Sequence, residues 1–251
     1  MYHYQKEGFM KKLLVLFLII STFLAADEAH DIMKKLDNNF RGKNIYMKLS
    51  MSITAMGHTR TMKMQTWSEG SRKSFIKITY PPKDRGITFL SLNNQMWQYV
   101  PKIERIIKIP PSMMLQNWMG SDITNDDMVK QSSIVDDYEP HILKRDGNIV
   151  TIELIPNEDA AVVWGKIITN IDTSTYTSVK DIFYDEDGEA VRVFTYANIK
   201  KFGSYYLPTY WKITPTGKKN NKTEIVIEEA KYDSDIPQRY FKKSALKRFS
   251  R

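Results

Sequence analysis

The stretch from Ile45 to Ala55 most narrows what this chain can fold into. Ile45, Met47, Leu49, Met51, Ile53 and Ala55 alternate with Tyr46, Lys48, Ser50, Ser52 and Thr54. Eleven residues of unbroken alternation fit a period of two and no helical period. They predict a long antiparallel strand with one apolar and one wetter face. Gly57-His58 reads as a turn, and Met62 and Met64 carry the apolar face along the return strand toward Trp67.

Strand signals then recur at regular spacing. Lys73–Tyr80 is stopped by Pro81-Pro82, Ile87–Leu92 and Met96–Val100 flank Asn93-Asn94, and Pro101 precedes Arg105–Ile109. Tyr138–Arg145 and Ile149–Ile155 flank Asp146-Gly147, a strong hairpin signal. Val162–Ile171, Tyr176–Tyr184, Ala190–Ile199, Tyr205–Thr214 and Thr223–Tyr232 follow, with Asp187-Gly188 and Thr216-Gly217 at turns. One amphipathic helix precedes them all: Ile32, Met33, Leu36 and Phe40 share a face within Asp27–Asn39 and its flank, and Gly42 marks its end. The expectation is about eleven strands with two or three helical pieces, no repeat and no linker, in one mainly β domain over residues 27–251. So many antiparallel strands imply a strongly curved sheet or a barrel. An incomplete barrel needs a cover, and only the first helix and Pro110–Gln131 are candidates.

Residues 1–26 stand outside that domain. Lys11-Lys12, the apolar run Leu13–Ile20 and the small pair Ala25-Ala26 read as a secretory signal cleaved near Ala26, with Met10 the more natural initiator than Met1. The apolar run is short for a membrane span. The sequence has no cysteine, which excludes disulfides, thiolate chemistry, Cys-ligated metal and lipidation after the apolar run. The expectation is an exported, periplasmic protein held together by packing and sheet hydrogen bonds. Removing residues 1–26 takes away Lys6, Lys11, Lys12 and Glu7 and leaves a net charge of +6. That surplus suits transient contact with an anionic membrane surface, and export argues against nucleic acid. Much of it lies in Lys242-Lys243, Lys247-Arg248 and Arg251, which reads equally well as a solvated basic tail.

Catalytic constellations are scarce. His30, His58 and His141 fall in a helix, a turn and a strand start, without the spacing of a zinc site. No nucleophile elbow or phosphate-binding loop occurs. Asp185-Glu186-Asp187 and Asp136-Asp137 sit beside turn or strand signals, as solvated carboxylates do. The expectation is no enzyme, no cofactor and no metal. Methionine is the more unusual feature: Met47, Met51, Met62 and Met64 share the faces of the first two strands, and Met96, Met113, Met114, Met119 and Met128 follow. Ordinary core packing accounts for any one of them; the cluster also fits an apolar cavity that adapts to its ligand.

Three ordered blocks carry a resemblance: Trp67–Leu90 (WSEGSRKSFIKITYPPKDRGITFL), Met96–Pro101 (MWQYVP) and Trp118–Met128 (WMGSDITNDDM). They resemble the outer-membrane lipoprotein-sorting family, the group of the periplasmic lipoprotein carrier and its outer-membrane receptor. The resemblance implies an unclosed antiparallel half-barrel whose apolar inner face, covered by helices, holds acyl chains of lipoproteins or of another lipid. It also implies an inner-membrane transporter or an outer-membrane acceptor as partner. The inner face would use Met47, Leu49, Met51, Ile53, Met62, Met64, Ile76, Ile78, Phe89 and Trp97, and the cover Leu115, Trp118 and Met119. The cavity-mouth arginine of that family is left open among Arg60, Arg72 and other positions. Two other classes compete: an envelope interaction module or transporter accessory with a solid core, and a lipid hydrolase with His58 or His141 facing an aspartate and a serine.

The acid-rich NWMGSDITNDDM, Asn117–Met128, reads as a joint rather than an active site. Gly120 bends the apolar segment, and Thr124 with Asp127 forms the pattern of a capping box. On that reading Asp127 is structural, and its loss costs about 0.5–2 kcal/mol, the worth of a cap.

Overall fold

The alternation at residues 45–55 becomes strand β1 (Asn44–Ala55), paired along its length with β2 (His58–Glu69). Its other edge pairs with the last strand, β13 (Lys222–Tyr232). The computed structural model describes residues 27–130, 134–160 and 162–251; the expected signal segment, residues 1–26, lies outside them. From β2 the chain meanders outward through β3 (Lys73–Tyr80), β4 (Thr88–Leu92) and β5 (Gln95–Val100) to β6 (Arg105–Lys108). It then crosses to the far edge and meanders back through β7 (Tyr138–Asp146), β8 (Ile149–Pro156), β9 (Lys166–Asp172), β10 (Thr177–Tyr184), β11 (Ala190–Phe202) and β12 (Tyr205–Pro215). All thirteen strands form one antiparallel sheet in the order β6-β5-β4-β3-β2-β1-β13-β12-β11-β10-β9-β8-β7. Its edges, β6 and β7, do not pair with each other, so the curved sheet stays unclosed.

The expected count of about eleven strands is two short. Each segment named from the sequence is a strand, but β9 begins at Lys166 rather than Val162. The helix α1, residues 27–41, buries Ala29, Ile32 and Met33, and Leu36 and Phe40 pack on the same core. Gly42, at φ +55°, ends it with its N–H on the Asn38 carbonyl, a turn that favours glycine.

Two apolar clusters lie on opposite faces of the sheet. The large one fills the concave side, under α1 and the crossing segment. The small one joins Phe75, Leu90, Trp97 and Tyr99 on the convex face to Ala245 and Leu246 of a C-terminal helix, α4 (Lys243–Arg248). Trp67, Tyr240 and Phe249 complete it, with Trp67 stacked on Tyr240 at 4.6 Å and Tyr240 on Phe249 at 4.4 Å. This corrects the placement of Trp97. It alternates with Met96, which packs on the concave side, so it must point outward. The basic C-terminal segment is accordingly a docked helix, not a free tail.

Candidate functional site

Between α1, the crossing segment and the middle strands lies a cavity of about 210 Å³. Met47, Leu49 and Met51 of β1, Met64 of β2 and Ile76 of β3 line it. Ile53, Met62, Ile78 and Phe89 belong to the same buried cluster but lie outside its wall. A second cavity of about 120 Å³ adjoins it under α1 and shares Phe40, Asp181, Tyr196 and Trp211 with it. Alternation dictates these neighbours: Met47↔Thr66, Leu49↔Met64 and Met51↔Met62 face one another across β1 and β2.

The crossing segment is pinned over the concave face strand by strand. Trp118, in the 3-10 turn Trp118–Gly120, is buried and packs on Phe89 of β4 with ring centroids 5.1 Å apart. Arg60 of β2 donates to the Met119 carbonyl. Asp122 exchanges hydrogen bonds with Thr223 of β13, at 2.9 and 2.8 Å. Asp127, in helix α2 (Asn125–Lys130), pairs with Arg192 of β11, and α3 (Ile134–Asp137) leads into β7. Met119 packs on the core with Ile109, Met114, Ile123 and Val129. Leu115 corrects the expected cover: it lies in the turn after Pro111–Met113 and is 59% exposed, while Met114 beside it turns inward.

The joint is built as a capping box. The Asp127 carboxylate accepts from the Thr124 N–H and hydroxyl, both at 2.7 Å, and the Asp127 N–H donates to Thr124 Oγ1 at 3.1 Å. Gly120 stands at φ +70°, and a Cβ there would meet Arg60 at 3.0 Å, so the bend requires glycine. Asp127 also does what the sequence did not reveal. Its two carboxylate oxygens accept a bidentate pair from Arg192 at 2.5 and 2.6 Å, where Arg192 is buried. The guanidinium is enclosed by the rings of Trp164, Phe183 and Phe194, at 4.2, 4.3 and 5.1 Å. Burial pushes the Asp127 carboxyl up, but the Arg192 bonds and charge and the Thr124 donors outweigh it and hold it below the usual carboxylate range.

A second polar cluster borders both cavities. Asp181 accepts from Thr169 at 2.6 Å and from the Tyr196 hydroxyl at 2.7 Å. Burial holds the Asp181 carboxyl above its ordinary value against those donors, and burial and the nearby Asp181 push the Tyr196 phenol well up. Among the described residues, Arg192 Nε and the Thr66 hydroxyl are buried without a hydrogen-bond partner, and both residues line the main cavity. Arg72 stands in the cavity wall beside Ser71 and Lys73. Of the arginines left open by sequence, Arg60 thus ties the cover, Arg72 lines the cavity, and Arg192 reaches into it. The signal for Arg192 was its alternation with Phe194 and Tyr196, but the residues between them are also apolar or neutral, so the pattern did not say which face turned inward.

His58 and His141 are both exposed and line neither cavity, so neither faces an aspartate and a serine within it. His30 lies 3.4 Å from Glu139. Among the described residues no three His, Cys, Asp or Glu side chains are grouped as metal ligands.

A family model described as "-like: Uncharacterized protein" matches residues 70–248. No curated protein compared with the chain matches it. Solved structures do. A DUF1329 family protein from Desulfovibrio piger superimposes with a TM-score of 0.81, at 20% identity, over 88% of this chain and 99% of that one. A structure described as an outer membrane lipoprotein-sorting protein domain, from Vibrio parahaemolyticus, gives 0.78 at 20% identity over 88% and 99%. A LolA superfamily protein from Nitrosomonas europaea gives 0.72 at 20% identity over 86% and 98%. The fold is the unclosed half-barrel of these proteins.

Proposed function

The chain belongs to the family whose model spans residues 70–248, and from that premise and the shared fold we propose that it is a non-enzymatic periplasmic carrier for acyl chains of lipoproteins or another lipid. The carrying observation is the cavity: an apolar floor of methionine, leucine and isoleucine beneath a cover tethered at discrete points. Its volume, about 210 Å³, is below the roughly 300–1,000 Å³ of ligand pockets. Loading therefore enlarges the cavity, and the flexible thioethers of Met47, Met51 and Met64 are the side chains best able to yield. Each methylene removed from water contributes about 0.8 kcal/mol, so a sixteen-carbon chain gains about 12 kcal/mol on full burial. That gain works against the tethers of the cover, and release needs only an acceptor that binds the chain better. Arg192 Nε and the Thr66 hydroxyl supply polar partners for a carboxyl or ester end.

The retained cavity favours a carrier over an interaction module with a solid core. An inner-membrane transporter or outer-membrane acceptor is the partner class this reading requires, and residues 1–26 the segment that directs export. The test is native mass spectrometry of protein purified from its own envelope, with extraction and identification of lipid. Adducts of acyl-chain mass are expected, displaced by fluorescent fatty acid. Protein that repeatedly arrives empty and does not take up the fatty acid sinks the proposal.

A further inference from the structure

We propose that the β6 edge and the adjoining face of α4 form a docking surface for a bilayer containing anionic phospholipid. Five of the twelve exposed large apolar side chains among the described residues fall between residues 103 and 115: Ile103, Ile106, Ile107, Met113 and Leu115. All four residues of β6 are exposed, although it is a strand of the sheet. Residues 101–115 carry three cations and one acid, Glu104, and residues 238–251 carry six cations and no acid.

These two segments form one surface. Lys108 of β6 and Lys243 of α4 both stand over the ring of Trp97, at 5.9 and 4.5 Å. Leu246 accepts from the Thr88 hydroxyl at 2.7 Å, and the Ser250 hydroxyl donates to the Gly86 carbonyl at 2.7 Å, close to Pro101. None of the nine cations makes an ion pair with a described acidic residue, whereas Lys48, Lys63, Lys73 and Arg192 each do. Exposed isoleucines interleaved with Lys102, Arg105 and Lys108, with Lys243 of α4 beside them, match a surface that is negative at the headgroups and apolar beneath them.

The geometry favours a bilayer over a protein strand. Ile106 and Ile107 are successive residues of a strand and project to opposite faces. A strand added to this edge would pair beside Ile106 and Ile107 but leave the flanking Ile103 and Leu115, which lie outside β6, uncovered. A soft interface takes all of them at once. Ile109, directly after β6, is buried under the crossing segment, so this surface and the cavity cover are one continuous piece of chain. The inference stands without any cargo in the cavity.

The test is sedimentation of the full chain with vesicles of phosphatidylcholine alone and of equimolar phosphatidylcholine and phosphatidylglycerol, at low and high salt. Binding to the anionic vesicles only, weakened by salt, is expected. The triple variant Arg105→Ser, Lys108→Ser, Lys243→Ser should bind about 100-fold more weakly, from roughly fivefold per cation. Ile106→Ser with Ile107→Ser should remove the salt-resistant part of the binding. Both sets change exposed side chains, and unchanged circular dichroism and fatty-acid uptake would show that the fold and cavity are intact. Lys200→Ser with Lys201→Ser, on β11, is the control and should bind as wild type does. Equal binding to both vesicles, binding to neither, or triple-variant binding equal to wild type overturns the proposal. A chain that binds neither vesicle yet is dimeric, and becomes monomeric as Ile106→Ser, would overturn the proposal and assign the edge to a second copy instead. Uptake read on the same samples keeps the two proposals apart, since an empty cavity leaves this face untouched.

Discussion

Replacing Arg192 by Met tests whether one ion pair holds the cover. Met keeps an unbranched apolar stem against Trp164, Phe183 and Phe194, but it removes the countercharge of Asp127. That carboxylate, with its side chain 15% exposed, is then left with the Thr124 donors alone. Breaking a buried pair by removing one partner costs about 3–5 kcal/mol. Asp127→Ala leaves the guanidinium unpaired in its aromatic enclosure and also removes a cap, adding about 0.5–2 kcal/mol. In the double variant neither charge remains, and the expected cost falls to about 1–2 kcal/mol, the cap and local repacking. Urea unfolding followed by circular dichroism, with unchanged m values, gives all three numbers. The double variant should be more stable than either single one. If Asp127→Ala costs only its cap, and the double variant equals the sum of the singles within about 0.5 kcal/mol, the pair does not anchor the cover and the reasoning fails. Both single variants should also take up fluorescent fatty acid faster than wild type.

Asp181 gives a pH dependence. Its folded carboxyl lies above the ordinary value of 3.8, so the folded state binds the proton more tightly than the unfolded one, and stability should rise as pH falls through the raised folded value toward 3.8. Asp181→Asn removes the ionisable group and should flatten that slope; the carboxylates held below their ordinary values, such as Asp127, act at lower pH and in the opposite direction. Trp118→Ala should cost about 3–5 kcal/mol because the side chain is fully buried on Phe89, whereas Leu115→Ala should stay within about 0.5 kcal/mol, both read by thermal or urea unfolding. Leu246→Ala, in the convex cluster, should cost about 2–5 kcal/mol yet leave fatty-acid uptake by the remaining folded protein unchanged, because the whole sheet separates it from the cavity.

Local pattern made the strands legible. The alternation at Ile45–Ala55 and the turn pairs Asn93-Asn94 and Asp146-Gly147 depend on neighbours one to four residues apart, so they survive in one dimension. The Thr124–Asp127 cap is legible for the same reason. Trp97 was misplaced because the period of two says which residues share a face but not which face is covered, and Leu115 because it lies in a turn, where no period says which neighbour faces inward. Met96 and Trp97 are both large and apolar, and so are Met114 and Leu115. Only the arrival of α4 on the convex side decided the first choice, and the path of the crossing segment the second.

The mainly antiparallel class, the first helix, the turns and the methionine-rich face of β1 and β2 follow from residue order, because each rests on local periodicity and backbone preference. Long-range packing sets the return of β13 to β1, keeps the edges apart and lays a segment across the opening between them. It also decided that Arg192, sixty-five residues from Asp127, becomes its partner. A buried charge pair of that separation leaves no periodic trace. It exists because curling the sheet brings β11 beneath α2, in an enclosure with too little water to solvate either charge alone.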